Sequence, residues 1–185
     1  MSRESQEMIK ILPNMCKRLG LDKGVVCERT KALLKSKRDM DWFMEAFQED
    51  GNDDIYYYCE SELKAAVKWL QGYYKALSND GFDDYVPVLW ESRLMDKLFD
   101  EVMKKLAQFK KYGDLYVQLI RLRYLSDETP VETEITEKLG ICRSSYYSRL
   151  NEACIAFGIL LQTFLGLSPD KVPISVPMTA ERISL

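Results

Sequence analysis

The feature that most narrows what this chain can fold into is the spacing of its apolar residues, which return every three or four positions over almost the whole length. Residues three and four apart share one face of an α-helix, whereas a half-buried strand needs alternation in twos. Met8, Ile9, Leu12, Cys16 and Leu19 form the first such stripe, with Gly20 as its stop and Pro13 as a point where the element should kink or split. A second helix is expected from about Val25 to Lys37, and Trp42, Phe43 and Phe47 suggest a short third one. Glu49 to Asp54 reads as a solvated turn. Leu63, Val67, Leu70, Tyr74 and Leu77 line a helix from Ser61 to Leu77, ended by Asn79-Asp80-Gly81. The connection carrying Pro87 reads as irregular. Leu94, Leu98, Val102, Leu106 and Phe109 then line a long helix from about Ser92 to Tyr112, with Gly113 in the stop position. The expected fold class is all-α. An N-terminal helical region (1–113) precedes a C-terminal helix-turn-helix unit (114–167) and an extended tail (168–185) holding Pro169, Pro173 and Pro177.

Composition excludes more than it assigns. With 185 residues, 46% hydrophobic and 30% charged, the chain can bury a core without disulfides and is not of the disordered class. The longest apolar stretch, Cys154 to Leu167, is interrupted by Gln162 and Thr163 and falls short of the roughly 20 residues a membrane span needs. The start, Met1-Ser2-Arg3-Glu4, lacks an apolar signal core, so a cytoplasmic protein with no membrane partner is expected. Five scattered cysteines (Cys16, Cys27, Cys59, Cys142 and Cys154) make no C-x-x-C pair and argue against a disulfide scaffold or a zinc site. There is no histidine, which removes Ser-His-Asp and Cys-His machinery. No glycine-rich phosphate loop is present, and Glu60 with Glu62, or Asp53 with Asp54, read as solvated charges. The expectation is a chain that is not an enzyme and needs no cofactor or metal.

Charge is unevenly placed. The net charge of −3 lacks the basic excess usual for nucleic-acid binding. Yet Lys17, Arg18, Lys23, Arg29, Lys31, Lys35, Lys37 and Arg38 crowd one early segment, acids dominate from Asp39 to Glu62, and Lys104, Lys105, Lys110, Lys111, Arg121, Arg123, Arg143 and Arg149 restore a basic character later. The early run reads first as a solvated helix face.

The informative stretch runs from Leu115 to Leu165. Leu115, Leu119, Ile120 and Leu122 make a first amphipathic helix, broken by Ser126-Asp127-Glu128. Thr129-Pro130-Val131-Glu132 reads as a helix start: Thr129 as cap, Pro130 in the first turn, Glu132 completing a capping box. Val131, Ile135 and Leu139 share a face, and Gly140 suits a turn that needs positive φ. The next helix packs Tyr146, Leu150, Ala153, Phe157, Leu160, Leu161 and Phe164 inward. Such a pair forms a helix-turn-helix whose second helix enters the major groove by its N-terminal end. The residues there outside the inner stripe are Arg143, Ser144, Ser145, Tyr147, Ser148 and Arg149, of the types that contact bases and phosphates in double-stranded DNA.

The run from Ile135 to Leu150, with its Leu139-Gly140-Ile141 turn and Ser144-Ser145-Tyr146-Tyr147 start, resembles the helix-turn-helix of sigma-factor region 4. It resembles more closely the ArpU/RinA group of phage-type transcription regulators, with Ala153 and Phe157 trailing as they should. Leu119 to Leu125 resembles the helix that leads into region 4. Cys142 stands where the pattern often has serine, which weakens the expected cap, and Thr136 stands where alanine is usual. The resemblance covers under a third of the chain. It implies a phage or prophage regulator of late genes acting at a promoter, in reach of RNA polymerase. Two other readings stay open: a DNA-packaging protein like a terminase small subunit, with the helices from Tyr56 to Leu77 and Leu94 to Phe109 forming a homo-oligomer surface, and an all-helical adaptor using the acidic Asp39 to Glu62 segment.

Overall fold

A computed structural model describes residues 3–49, 60–76, 78, 80–128 and 130–166. Among them the chain is all-helical, with eight α-helices and no strand. They are α1 (Arg3–Leu19), α2 (Lys23–Glu49), α3 (Glu60–Tyr73), α4 (Phe82–Trp90), α5 (Arg93–Ala107), α6 (Gly113–Ile120), α7 (Glu132–Leu139) and α8 (Arg143–Gly166), with a π-helical stretch, Arg121–Leu125, continuing α6. No described helix is long and apolar enough to cross a membrane. The tail, Thr129 and most of the acidic turn after Glu49 lie outside the described residues.

Local chemistry explains most boundaries. Gly20 ends α1 in the left-handed conformation (φ 65), and Leu21 donates its N–H back to the Cys16 carbonyl at 2.9 Å. Asp22 caps α2 by accepting the Val25 N–H at 2.9 Å. Ser92 caps α5 by accepting the Met95 N–H at 3.2 Å.

Four expectations are corrected. First, α1 runs unbroken through Pro13. Second, the two helices expected between Val25 and Phe47 are one, α2. No glycine or proline interrupts residues 25 to 49, so only polarity suggested a break. Third, the Pro87 segment is the helix α4. The carbonyl that loses its partner to the proline belongs to Asp83, an exposed residue in the first turn, where water can replace the bond. Fourth, Gly113 opens α6 instead of stopping α5. A Cβ there would lie 2.2 Å from the Ala107 carbonyl oxygen, so glycine is required by close backbone approach in the reversal between the helices.

The core is organised around α8. Its residues from Ala153 to Ile159 are buried without interruption, on every side of the helix, as expected of a helix enclosed by others. α1, α2, α3, α5, α6 and α7 all pack against it. One hydrophobic cluster runs from Leu12 to Leu165, across the boundary expected at residues 113 and 114. α2 and α8 approach closely at Gly158, where a Cβ would meet Thr30 Oγ1 at 2.5 Å and Val26 Cγ1 at 2.7 Å. Thr30 is buried and shares a 3.0 Å hydrogen bond with the Tyr74 hydroxyl, which is also buried. A side chain at 158 would therefore both overpack the crossing and displace a satisfied polar pair.

Gly158→Val is expected to destabilise the fold by about 1–3 kcal/mol through overpacking, read as a fall of several degrees in thermal midpoint. Gly72→Ala, in an exposed helical position with open space around it, should leave the midpoint unchanged or slightly raised. Equal effects at both sites would refute the close α2–α8 crossing.

Candidate nucleic-acid interface

α7 and α8 are joined by Gly140-Ile141-Cys142. Gly140 adopts the left-handed conformation (φ 61), as its place in the sequence suggested, and Ile141 donates its N–H to the Thr136 carbonyl at 3.0 Å. This closes the end of α7 with a Schellman-type bond. Thr136 donates its hydroxyl to the Thr133 carbonyl at 2.9 Å, which keeps that side chain against its own helix.

The start of α7 corrects the expected capping box. The helix begins at Glu132 with Val131 in the cap position, and Pro130 lies one residue before it. Glu134, not Glu132, reaches back to accept the Val131 N–H at 2.9 Å. Valine has no acceptor to return the bond, so half of the box is formed. Val131 is 58% exposed and Leu139 only partly buried, so Ile135 alone of that expected stripe is fully in the core.

Glu132 has a different use. Its carboxylate pairs with Arg143 Nε at 2.8 Å and accepts a hydrogen bond from the Tyr147 hydroxyl. The Arg143 guanidinium lies 5.9 Å from the centre of the Tyr147 ring. One residue of α7 thus orients two residues of the first turns of α8. Nothing periodic in the sequence signals this pairing, because the partners are eleven and fifteen positions apart across a turn.

The six residues singled out from the sequence divide into two sets. Arg143, Ser144, Tyr147 and Ser148 are exposed, and Ser145 is half-buried. They lie on the side of α8 away from Tyr146, Leu150 and Ala153, which are buried. Arg149 is drawn inward. It pairs with Glu152 at 2.6 Å, and its guanidinium stacks 3.8 Å from the Tyr112 ring centre. Glu152 also accepts from the buried Tyr116 hydroxyl at 2.8 Å. Arg149 therefore ties α8 to the turn between α5 and α6, with its charge neutralised inside the protein.

Cys142 caps α8 in place of the usual serine. Its thiol lies 3.3 Å from the Ser144 hydroxyl and 3.2 Å from the Ser145 hydroxyl. Those hydroxyls and the Ser145 N–H stabilise the thiolate and lower its pKa to about 7. Burial pushes Cys16 and Cys27 up, and Cys154 up to about 12. No group of residues suited to a metal ion occurs among the described residues.

Four of the eight residues of the early basic run are held by contacts within the chain. Arg29 donates to the Ala76 and Ser78 carbonyls, Lys31 pairs with Glu28, Lys37 with Asp41 and Asp96, and Arg38 with Asp39. No family model matches the chain, and no curated protein or solved structure matches it.

Alkylation of Cys142 followed against pH should show a midpoint near 7, and Ser144→Ala with Ser145→Ala should move it toward 9, the ordinary thiol value. The sign follows from the lowered pKa: the thiolate's support of the helix start is complete above pH 9 and is lost as pH falls through about 7. A midpoint already near 9 in the unsubstituted chain would remove the hydroxyl contacts.

Proposed function

We propose that α7, the Gly140 turn and α8 form a helix-turn-helix, and that the chain is a sequence-specific regulator of transcription that binds double-stranded DNA. The observation that carries this reading is the exposed polar edge formed by Arg143, Ser144, Tyr147 and Ser148 on the first two turns of α8. The rest of that helix is locked into the core, so the edge is presented by a rigid element. A groove reader needs such an edge, because the N-terminal residues of the recognition helix meet the base edges while its remainder positions it. Arg143 supplies the planar fork suited to guanine, the serines suit bases or phosphates, and Tyr147 offers a ring and a hydroxyl. The likeness of Ile135 to Leu150 to the ArpU/RinA group and to sigma-factor region 4 directs the proposal toward late genes of a phage or prophage, at a promoter.

In the free protein Glu132 holds Arg143 and Tyr147 together. DNA phosphates then compete with a carboxylate for the same arginine. The ion pair is exposed on the arginine side (78%), so it is readily exchanged.

Enrichment of duplexes from a random library should yield a defined sequence. Against that duplex, Arg143→Ala or Tyr147→Ala should lower affinity on the order of tenfold or more without altering the helical content. Recovery of no preferred sequence, or two variants that bind as the parent does, would dismiss this reading head. Glu132→Gln removes a negative charge from the edge and releases Arg143, so duplex binding should strengthen several-fold; weaker binding would show that the pairing organises the edge instead of restraining it.

A further inference from the structure

The first turns of α8 have two flanks, and the two differ in charge. On one side lies α7, which carries Glu132, Glu134 and Glu137 against a single lysine, Lys138. On the other lies the reversal between α5 and α6, which the Tyr112–Arg149 stack holds against α8. The last turn of α5 carries Lys104 and Lys105 and the reversal itself carries Lys110 and Lys111, with no acidic residue between Glu101 and Asp114. Lys104 pairs with Glu101 at 2.8 Å. Lys105, Lys110 and Lys111 are exposed, and the Lys111 ammonium sits 5.4 Å from the centre of the same Tyr112 ring that Arg149 covers.

The reversal is firmly held. Gln108 donates its N–H to the Lys105 carbonyl at 3.2 Å, Phe109 to Leu106 at 3.1 Å, and Gly113 to Phe109 at 3.0 Å. Phe109 packs on the core, its ring centre 6.4 Å from that of Tyr116. The glycine at 113 permits the tight return, since any Cβ would strike the Ala107 carbonyl. The turn that carries Lys110 and Lys111, with Lys105 in the last turn of α5 just before it, is thereby held against α8 through Tyr112 and Arg149 with little freedom.

Resting on the reading of α8 as a groove-entering helix, we infer that Lys105, Lys110 and Lys111 form a phosphate clamp for the DNA strand that borders the Arg149 flank. A helix lying in the major groove is bordered by two sugar-phosphate backbones, and contacts to them fix register without selecting sequence. The α7 flank, with three carboxylates, cannot supply the attraction that a chain of net charge −3 needs to hold a polyanion. The lysine turn does. Arg149, neutralised by Glu152, is the positioning residue that holds this turn, through Tyr112, in register with the reading edge.

The test compares the full chain with Lys105→Gln/Lys110→Gln/Lys111→Gln, titrated between 50 and 200 mM salt (about the range over which phosphate contacts change affinity most visibly). The probes are the library-selected duplex and a scrambled duplex. Each phosphate contact adds about 0.9 to the slope of log affinity against log salt, so the variant's slope should be shallower by about 2–3. Both duplexes should weaken by the same factor, leaving the preference between them intact. The control is Lys64→Gln/Lys68→Gln/Lys75→Gln, an equal change of charge. Lys64 and Lys68 lie in α3 and Lys75 just beyond it; α3 meets the far end of α8 through the Gln71–Leu165 bond. It should leave the slope unchanged. An unaltered slope in the clamp variant, an equal change in the control, or a loss confined to the selected duplex would each overturn the clamp while leaving DNA binding in place. If the parent chain binds neither duplex at low salt, the reading of α8 falls and the clamp with it.

Discussion

The arrangement of this molecule depends on how closely α2 and α8 cross. Gly158 brings the two backbones to a distance at which any side chain would collide with Thr30 and Val26. The polar atom that such proximity traps, the Thr30 hydroxyl, is satisfied by Tyr74, the residue that follows α3. A buried hydroxyl without a partner costs on the order of 1–3 kcal/mol, so the crossing and the placement of Tyr74 at the end of α3 support each other. With α8 seated there, α5 and α6 close over its other sides, and Phe99 meets Phe157 with ring centres 5.4 Å apart.

Seating the second half of α8 in the core has a consequence for the first half. A helix is stiff over its length, so anchoring Ala153 to Leu165 fixes the direction in which Arg143 to Ser148 project. Two side-chain links refine that direction from either flank: Glu132 with Arg143 and Tyr147, and Arg149 with Glu152 and Tyr112. The same helix is thus the structural axis of the protein and the support of its exposed polar edge. This is why the unit expected over 114–167 shares its core with the N-terminal helices.

Much of the helical pattern was legible because periodicity and stop residues report local physics. Gly20 and Gly140 adopt the left-handed conformation that a helix stop favours. Tyr146, Leu150, Ala153 and Phe157 lie inside, in keeping with their four-residue spacing. Errors arose where tertiary contact overrides the local signal. Gly113 reads locally as a stop, yet it is small because the Ala107 carbonyl leaves no room for a Cβ there. The connection carrying Pro87 reads locally as irregular, yet it is a helix that retains the proline where an exposed first turn tolerates the missing donor. Glu132, expected to complete a cap, is the first residue of α7 and pairs across the turn with Arg143 and Tyr147.

The sequence by itself determined an all-helical chain, the absence of histidine chemistry and the short polar segment after Gly140, since each follows from residue type or from spacing along one helix. Only the tertiary structure decided which polar residues remain open. Arg143 and Arg149 carry the same guanidinium on the same helix and each pairs with a carboxylate, but Arg143 stands at the surface while Arg149 is drawn inward and stacked on Tyr112. That difference comes from Tyr112, in the turn between α5 and α6, and a side-chain partner brought there by packing leaves no periodic trace in the chain.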